Sequence, residues 1–344
     1  MGAPLTAYRE LQATLRDSPQ RWLVTGAAGF IGSHLVQTLL DLGQRVVGLD
    51  DFSTGRRSNL EDVQRRVGPE SWRRFSLVEA DIRDAQACIN ACSGVDRVLH
   101  QAALGSVPRS IDKPQWTHSV NVDGFVNMVL AARDAGAPFV YASSSSVYGD
   151  HMELPKVEGQ LGTPLSPYAA TKRVNEIYAQ AFHRSYGVRA VGLRYFNVIG
   201  PRQDPNGAYA AVVPKWLAAF QAGERPFING DGLTSRDFCP IENVVQVNLL
   251  AAFADDEAVG KAYNVGLGSR TDLNTLFTIL RDGMAERGAP SAGIEPEYRD
   301  FRAGDVQHSL ADISRATQRL GYHPGQTVER CLGQTMDWFL EFEE

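Results

Sequence analysis

Between a short apolar run, residues 21–25, and a helical pattern that starts at Phe30 lies the turn Thr25-Gly26-Ala27-Ala28-Gly29-Phe30-Ile31-Gly32. Three glycines at this spacing limit what the chain can fold into more than any other stretch. Gly26 permits a tight turn, Gly29 lets backbone approach a pyrophosphate, and Gly32 lets helix pack on strand. The helix that follows offers unpaired N–H groups and the positive end of its dipole to a phosphate. The glycine spacing alone is moderate evidence. Here it has the strand before it and the helix after it that the reading needs.

Apolar Ile31, Leu35, Leu39 and Leu42 carry that helix to Leu42, where Gly43 ends it. Residues 45–49 read as a second strand closed by Asp50. Further strands are expected at 75–78, 97–100, 139–142 and 190–194. Helices fill the gaps, among them 121–135 and 168–186. This alternation implies right-handed crossovers and a parallel sheet. From Pro201 the texture changes to loops rich in Pro, Gly and Asn (Gly200-Pro201-Arg202-Gln203-Asp204-Pro205-Asn206-Gly207) between short helices. The expected fold is α/β, a Rossmann-type doubly wound parallel sheet with a smaller, interleaved C-terminal substrate-binding lobe. Residues 1–20 are an N-terminal extension. Residues 21–196 form the nucleotide domain, with 237–268 returning to it, and 197–236 with 269–344 form the second lobe.

Tyr168 lies 24 residues beyond Ser144, and Lys172 follows Tyr168 by four. Residues at i and i+4 share one helix face. The lysine ammonium can then hold the phenol below its usual pKa of ~10. A serine hydroxyl alongside can share the proton of a substrate alcohol. Beside a nicotinamide, such a trio oxidises an alcohol or reduces a ketone. Taken alone, Tyr168 and Lys172 also fit the surface of an ordinary helix. Asp50, 18 residues past Gly32, points to NAD: a carboxylate there accepts hydrogen bonds from both ribose hydroxyls and repels a 2′-phosphate. Arg56 and Arg57 lie nearby, but the acidic pair Asp50 and Asp51 outweighs them.

A net charge of -6 argues against a dedicated nucleic-acid binder. No apolar run approaches the ~20 residues of a membrane span. The first 20 residues are mixed and polar, without a signal-peptide core. Cys88, Cys92, Cys239 and Cys331 form no disulfide framework, and no paired histidines join Cys88 and Cys92 to make a metal site. A reducing cytoplasm, no metal and no membrane partner are expected.

The segments 25–32, Asp81-Ile82, His100-Gln101-Ala102-Ala103, 143–149, 168–172 and 193–197 occur in the order found in extended short-chain dehydrogenases/reductases. Arg302-Ala303-Gly304-Asp305 resembles a nucleotide-sugar signature of that family. The likeness spans nearly all of the chain after Trp22. It is greatest to bacterial UDP-hexose 4-epimerases, in the branch acting on UDP-N-acetylglucosamine and UDP-N-acetylgalactosamine. The stretches 101–111, 193–197, 202–212 and 228–238 carry this nearer resemblance.

By position, the resemblance implies that Phe30, Ile31, Asp51, Ser53, Thr54, Gly55, Ala142 and Val198 help bind NAD. It puts Asp81 and Ile82 beside the adenine, with Gln101, Ala102 and Ala103 lining the groove. Asn121 braces the loop near the nicotinamide, and Tyr195 lies by that ring. Asn197 contacts the sugar-nucleotide phosphate. Ala211, Val212, Trp216, Phe227, Ile228 and Asn229 form the uridine pocket, with Lys215 adjacent. Arg236 and Arg302 hold the pyrophosphate, a task suited to a bidentate guanidinium. Asp305 holds the uridine ribose. Gly105, Ser106, Ser145 and Ser309 lie near the hexose.

The implied reaction is reversible C4 epimerisation of a UDP-sugar through a 4-keto intermediate, with NAD bound throughout. Polysaccharide biosynthesis and a homodimer built on helices 121–135 and 168–186 are implied as well, although the apolar residues there equally suit a core. Dehydratases and decarboxylases of the family carry an acidic residue just after the active serine. Ser145 and Ser146 stand there instead. A 4-epimerase of UDP-uronic acids remains as an alternative reading, and more remotely an inactive NAD-binding regulatory module. Two departures from the UDP-galactose epimerase pattern, Gly105 for a lysine and Ser309 for a tyrosine, remove bulk near the hexose and make room for an N-acetyl group.

Overall fold

The structure, a computed structural model, describes residues 6–204, 211–301 and 307–343. The first part runs α1 (Thr6–Asp17), β1 (Arg21–Thr25), α2 (Phe30–Asp41), β2 (Arg45–Asp50), α3 (Arg57–Trp72), β3 (Phe75–Glu79), α4 (Ala85–Cys92) and β4 (Arg97–His100). It continues with α5 (Val107–Asp112), α6 (Pro114–His118), a π-helical turn (Ser119–Asp123), α7 (Gly124–Asp134), β5 (Phe139–Ser144), a 3-10 turn (Ser145–Tyr148), α8 (Pro167–Tyr186) and β6 (Ala190–Tyr195). Then follow β7 (Asn197–Ile199), α9 (Val212–Gln221), β8 (Phe227–Asn229), β9 (Ser235–Arg236), β10 (Phe238–Pro240), α10 (Ile241–Ala252) and β11 (Lys261–Val265). The chain closes with β12 (Thr271–Asp272), α11 (Leu273–Glu286), β13 (Glu297–Arg299), α12 (Ser314–Leu320) and α13 (Val328–Glu343).

Seven strands make one parallel sheet in the order β11-β6-β5-β4-β1-β2-β3. Parallel sheets need both faces covered. On one face α2 and α10 bring Leu35, Leu39, Val244 and Val247 onto β1, β5 and β6. On the other, α4, α7 and α8 bring Cys88, Phe125, Met128 and Ala179 onto β4 and β5. All of α10 except Glu242 is buried, as befits a helix wedged between sheet and second lobe. The strand order reverses between β1 and β4, and a doubly wound sheet opens a crevice at its carboxyl ends there. Thr25, His100, Ser144 and Tyr195 all end strands on that side.

Two features differ from the pattern read in the sequence. The polar start hides α1: Leu15 is fully buried, and its carbonyl accepts from the Gln44 side chain at 2.6 Å. The same Gln44 accepts from the Gln20 backbone and the Trp22 indole, so one amide ties the extension to β1. The single helix expected over 121–135 instead begins in the π turn. There Asn121 bonds both the N–H and the C=O of Leu104.

The second lobe is held by α9, α11 and α13, whose Trp216, Phe220, Phe277, Leu280, Leu332 and Met336 form a separate core. The short pair β7–β10 joins it to the returning segment, and β8–β13 and β9–β12 tie the lobe together within itself.

Candidate active site

The glycine turn is built on close backbone approach. Gly26 is left-handed (φ +66), and a Cβ on it would meet the Ala102 nitrogen at 2.8 Å. A Cβ on Gly29 would lie 3.1 Å from the Gly26 oxygen, and one on Gly32 only 1.9 Å from it. Gly32 therefore serves the turn itself, packing α2 on the Gly26 carbonyl rather than on the strand. The Thr25 hydroxyl bonds His100 at 2.8 Å and the Ala102 N–H at 3.2 Å, stitching the floor together. Burial pushes the His100 imidazole down to about 3, so it stays neutral.

A cavity of about 360 Å³ opens above this floor. Gly26, Gly29, Phe30, Ile31, Gly32, Asp50, Asp51, Ser53, Thr54, Gly55, Asp81, Ile82, Gln101, Ala102, Ala103, Ala142, Tyr168, Lys172 and Tyr195 line it. A dinucleotide fits here: bare backbone faces the phosphate end and carboxylates the ribose end. Asp50 accepts from the Ala28 N–H at 2.8 Å and the Phe52 N–H at 2.9 Å. Its burial raises its pKa, and these bonds pull it back down. Arg56 is paired with Asp204, and Arg57 with Glu79 at 2.6 Å. Both arginines thus have carboxylate partners, while Asp50 faces the groove. Nucleotide extracted from purified protein should be NAD(H). Recovery of mainly NADP(H), identified by chromatography, would show that Arg56 governs the ribose site.

Two expected cofactor contacts lie elsewhere. Val198 lines the neighbouring cavity. Asn121 stands one layer back, bonding Leu104 at 2.7 Å and the Thr171 hydroxyl at 3.1 Å, and so ties the loop before α5 to α8. Asn59, Ala80, Arg202 and Asp204 join the groove without having been singled out in the sequence. Nothing in their spacing signals it, because the crossing of residues 200–204 over α2 brings Arg202 and Asp204 there. Arg202 is anchored by a buried pair with Asp62 at 2.7 Å.

Ser144, Tyr168 and Lys172 come together as the spacing implied. Ser144 ends β5, and its oxygen accepts from the Ser146 N–H at 3.1 Å. Its hydroxyl hydrogen is therefore left to donate outward, toward Tyr168 or a substrate oxygen. Ser166 caps α8 and Pro167 starts it, so Tyr168 leaves the first turn facing the sheet. One turn on, the Lys172 ammonium donates to the Ala142 carbonyl at 2.8 Å and lies 6.0 Å from the centroid of the Tyr168 ring. Burial pushes Lys172 down to about 8. Burial raises Tyr168, and its bond with Ser144 draws it back. The lowering that the sequence assigned to Lys172 is not seen: burial leaves the phenol above its ordinary value, Ser144 pulls it only part of the way back, and the ammonium is engaged on Ala142. Tyr195 is no rival base: burial raises it, and its hydroxyl is taken up by Gln101 and Asn248.

A second cavity, about 950 Å³, adjoins the first. That is ample room for a ligand of nucleotide size. Tyr168, Tyr195, Gly105, Ser143 and Ile31 belong to both walls. Lys172 lies only on the first side and Ser144 with Ser145 only on the second. Asn197, Ala211, Val212, Lys215, Trp216, Phe227, Ile228, Asn229 and Arg236 line the second wall. Helix α9 presents one stripe there (Val212, Lys215, Trp216, Ala219), while Leu217 and Phe220 enter the core. Glu224, Arg225 and Thr234, in short turns without periodicity, line it too, as does Leu273 at the start of α11, and none was legible beforehand.

Ser106 caps α5 through the Arg109 N–H at 3.2 Å, which is a structural task. Ser309 stands behind the wall, accepting from the Asn197 amide at 3.2 Å and the Asp237 N–H at 3.4 Å. Arg302 and Asp305 lie outside the described residues. Among the described residues no group of three or more His, Cys, Asp or Glu is placed to hold a metal ion, and no helix is long and apolar enough to cross a membrane.

The family model described as "NAD dependent epimerase/dehydratase family" matches residues 22–266. The UDP-glucose 4-epimerase of Mycolicibacterium smegmatis is 39% identical over 322 residues, 93% of this chain and 98% of that one. The solved UDP-N-acetylglucosamine 4-epimerase of Methanobrevibacter ruminantium, in complex with UDP-N-acetylmuramic acid, superposes with a TM-score of 0.85 at 37% identity, covering 94% of this chain and 99% of that one. The UDP-glucuronic acid 4-epimerase of Bacillus cereus, in complex with NAD and UDP-4-deoxy-4-fluoro-glucuronic acid, reaches 0.82 at 28% identity over 94% and 99%.

Proposed function

Because this chain belongs to the NAD dependent epimerase/dehydratase family, we propose that it is a UDP-sugar 4-epimerase, interconverting UDP-N-acetylglucosamine and UDP-N-acetylgalactosamine. One observation carries the reading. Tyr168 stands in the wall shared by both cavities, with Lys172 on the cofactor side and Ser144 on the other. NAD, held along the groove lined by the glycine turn and Asp50, would supply the hydride acceptor and donor for C4 of the sugar.

The chain's own residues handle the proton. Ser144 donates its hydroxyl hydrogen toward the sugar O4, and Tyr168, entering as the phenolate, takes the O4 proton and later gives it back. Lys172, held by Ala142, keeps positive charge beside the phenol. Asn197, Arg236, Trp216 and Phe227 suit the UDP end. Near Tyr168 the wall offers Gly105 and small serines, with open space at Gly105, where a Cβ would meet nothing within 4 Å. A firm nucleotide grip and a loosely held hexose permit the ring to turn over between the two half-reactions. Exposed Ile177, Tyr178 and Tyr186 on α8 support a homodimer through that helix.

The preference for 2-acetamido sugars rests on the open space at Gly105, and on the small Ser309 side chain that stands behind Asn197 without pushing it into the cavity. Ser309→Tyr should insert a ring beside Asn197. Overpacking of ~1–3 kcal/mol then lowers kcat/KM for the N-acetylated substrates by roughly 5- to 150-fold. UDP-glucose and UDP-galactose should change little. The ratio of the two specificities is decisive, because a folding defect lowers both together. Equal losses would remove Ser309 as the gate. A wild-type enzyme that turned over UDP-glucuronic acid faster than any neutral UDP-hexose would replace the N-acetylhexosamine reading.

A further inference from the structure

Directly behind the catalytic trio lies a buried ionic cluster that the proton chemistry does not use. Glu176 sits on α8, one turn past Lys172. Its two oxygens accept from Arg194 Nε and Nη2, each at 2.8 Å, and Arg173 adds a third contact at 3.2 Å. The side chains of Glu176 and Arg194 are 5% and 4% exposed. The Ser143 hydroxyl donates to the same carboxylate at 2.6 Å. Arg194 also donates to the Tyr148 hydroxyl at 3.1 Å and the Glu158 carbonyl at 3.0 Å. Tyr148 in turn donates to Asn264 at 2.6 Å.

The cluster touches the elements that build the site beside residues of its walls. Ser143 precedes Ser144 on β5, Arg194 precedes Tyr195 on β6, and Glu176 shares the face of α8 with Lys172. A buried ion pair gives little stability over well-packed apolar side chains. It does fix direction, because a carboxylate and a guanidinium in bidentate contact allow one relative orientation. We infer that Glu176 is a positioning residue: through Ser143 and Arg194 it sets the ends of β5 and β6 against α8, and so holds the Ser144 hydroxyl in line with Tyr168. This rests on the epimerase reading above.

Ser143→Ala is the cleanest test. It removes one hydrogen bond and leaves Glu176 with its two arginines, so the fold and bound NAD should persist. A small loss of alignment at a reacting group can cost up to ~100-fold, and kcat should fall about 10-fold here with KM within about twofold. Glu176→Gln should lower kcat at least as far, along with Tm. The double variant should lose no more kcat than Glu176→Gln alone, since both act through one device. If Glu176→Gln fails to fold, the kcat and KM of Ser143→Ala decide by themselves. Ser143→Ala with wild-type kcat, an effect confined to KM, or losses that multiply in the double variant would overturn the inference. A wild-type enzyme without C4 epimerisation would instead overturn the functional reading on which it rests.

Discussion

Tyr168→Phe is expected to give a folded protein that keeps its NAD and loses turnover by a factor on the order of 10² or more, the scale for deleting a positioned acid/base. Only one oxygen is removed, and the ring stays packed where it was. The hydrogen bond lost to Ser144 is worth about 1 kcal/mol of stability, so Tm should move by a few degrees at most. Among the described residues, nothing else nearby can take the proton. Tyr195 is held by Gln101 and Asn248, and His100 lies under the groove floor on Thr25. Lys172 is engaged on Ala142. Tyr195→Phe therefore makes the proper comparator and should retain most of its activity. The measurements are kcat on UDP-N-acetylglucosamine and the NAD content of each variant. Near wild-type epimerisation by Tyr168→Phe would end the proposed mechanism.

What the sequence made legible follows from how each residue does its work. Ser144, Tyr168 and Lys172 were readable because their roles depend on local geometry. Two of them share a helix face, and the third ends a strand that a parallel sheet brings alongside. Six of the seven sheet strands were readable for the same reason, with ends shifting by at most two residues, while β11 was not. Ser106 and Ser309 show the limit. Both have the residue type of a ligand contact, and both spend their oxygens on backbone or neighbouring side chains. The buried cluster at Glu176 was missed, because Ser143, Glu176 and Arg194 are far apart in sequence and none carries a motif of its own. Helix α1 was hidden by a polar surface with one fully buried leucine.

Gly32 marks the place where the structure changes the physical reason for a residue that the sequence had already singled out. An alanine in a helix is ordinarily favoured over glycine by about 1 kcal/mol. Gly32→Ala should nevertheless be damaging, because its Cβ would stand 1.9 Å from the Gly26 carbonyl oxygen. That atom belongs to backbone fixed on both sides. Gly26 donates to the Leu49 carbonyl at 2.8 Å and accepts from the Gly29 N–H at 3.0 Å. Neither it nor α2 can yield without moving the turn that faces the cofactor. Overpacking costs about 1–3 kcal/mol where neighbours can relax, and more where they cannot. The helix preference is too small to offset it. NAD affinity should fall more than about 100-fold, at and beyond the upper end of that range. Gly29→Ala meets the same oxygen at 3.1 Å, where a shift of a few tenths of an ångström suffices, and should lose far less. Equilibrium dialysis with NAD on both variants, with Tm as a check on folding, separates the cases. Equal affinities for Gly32→Ala and wild type would mean that α2 can retreat from Gly26 without disturbing the groove.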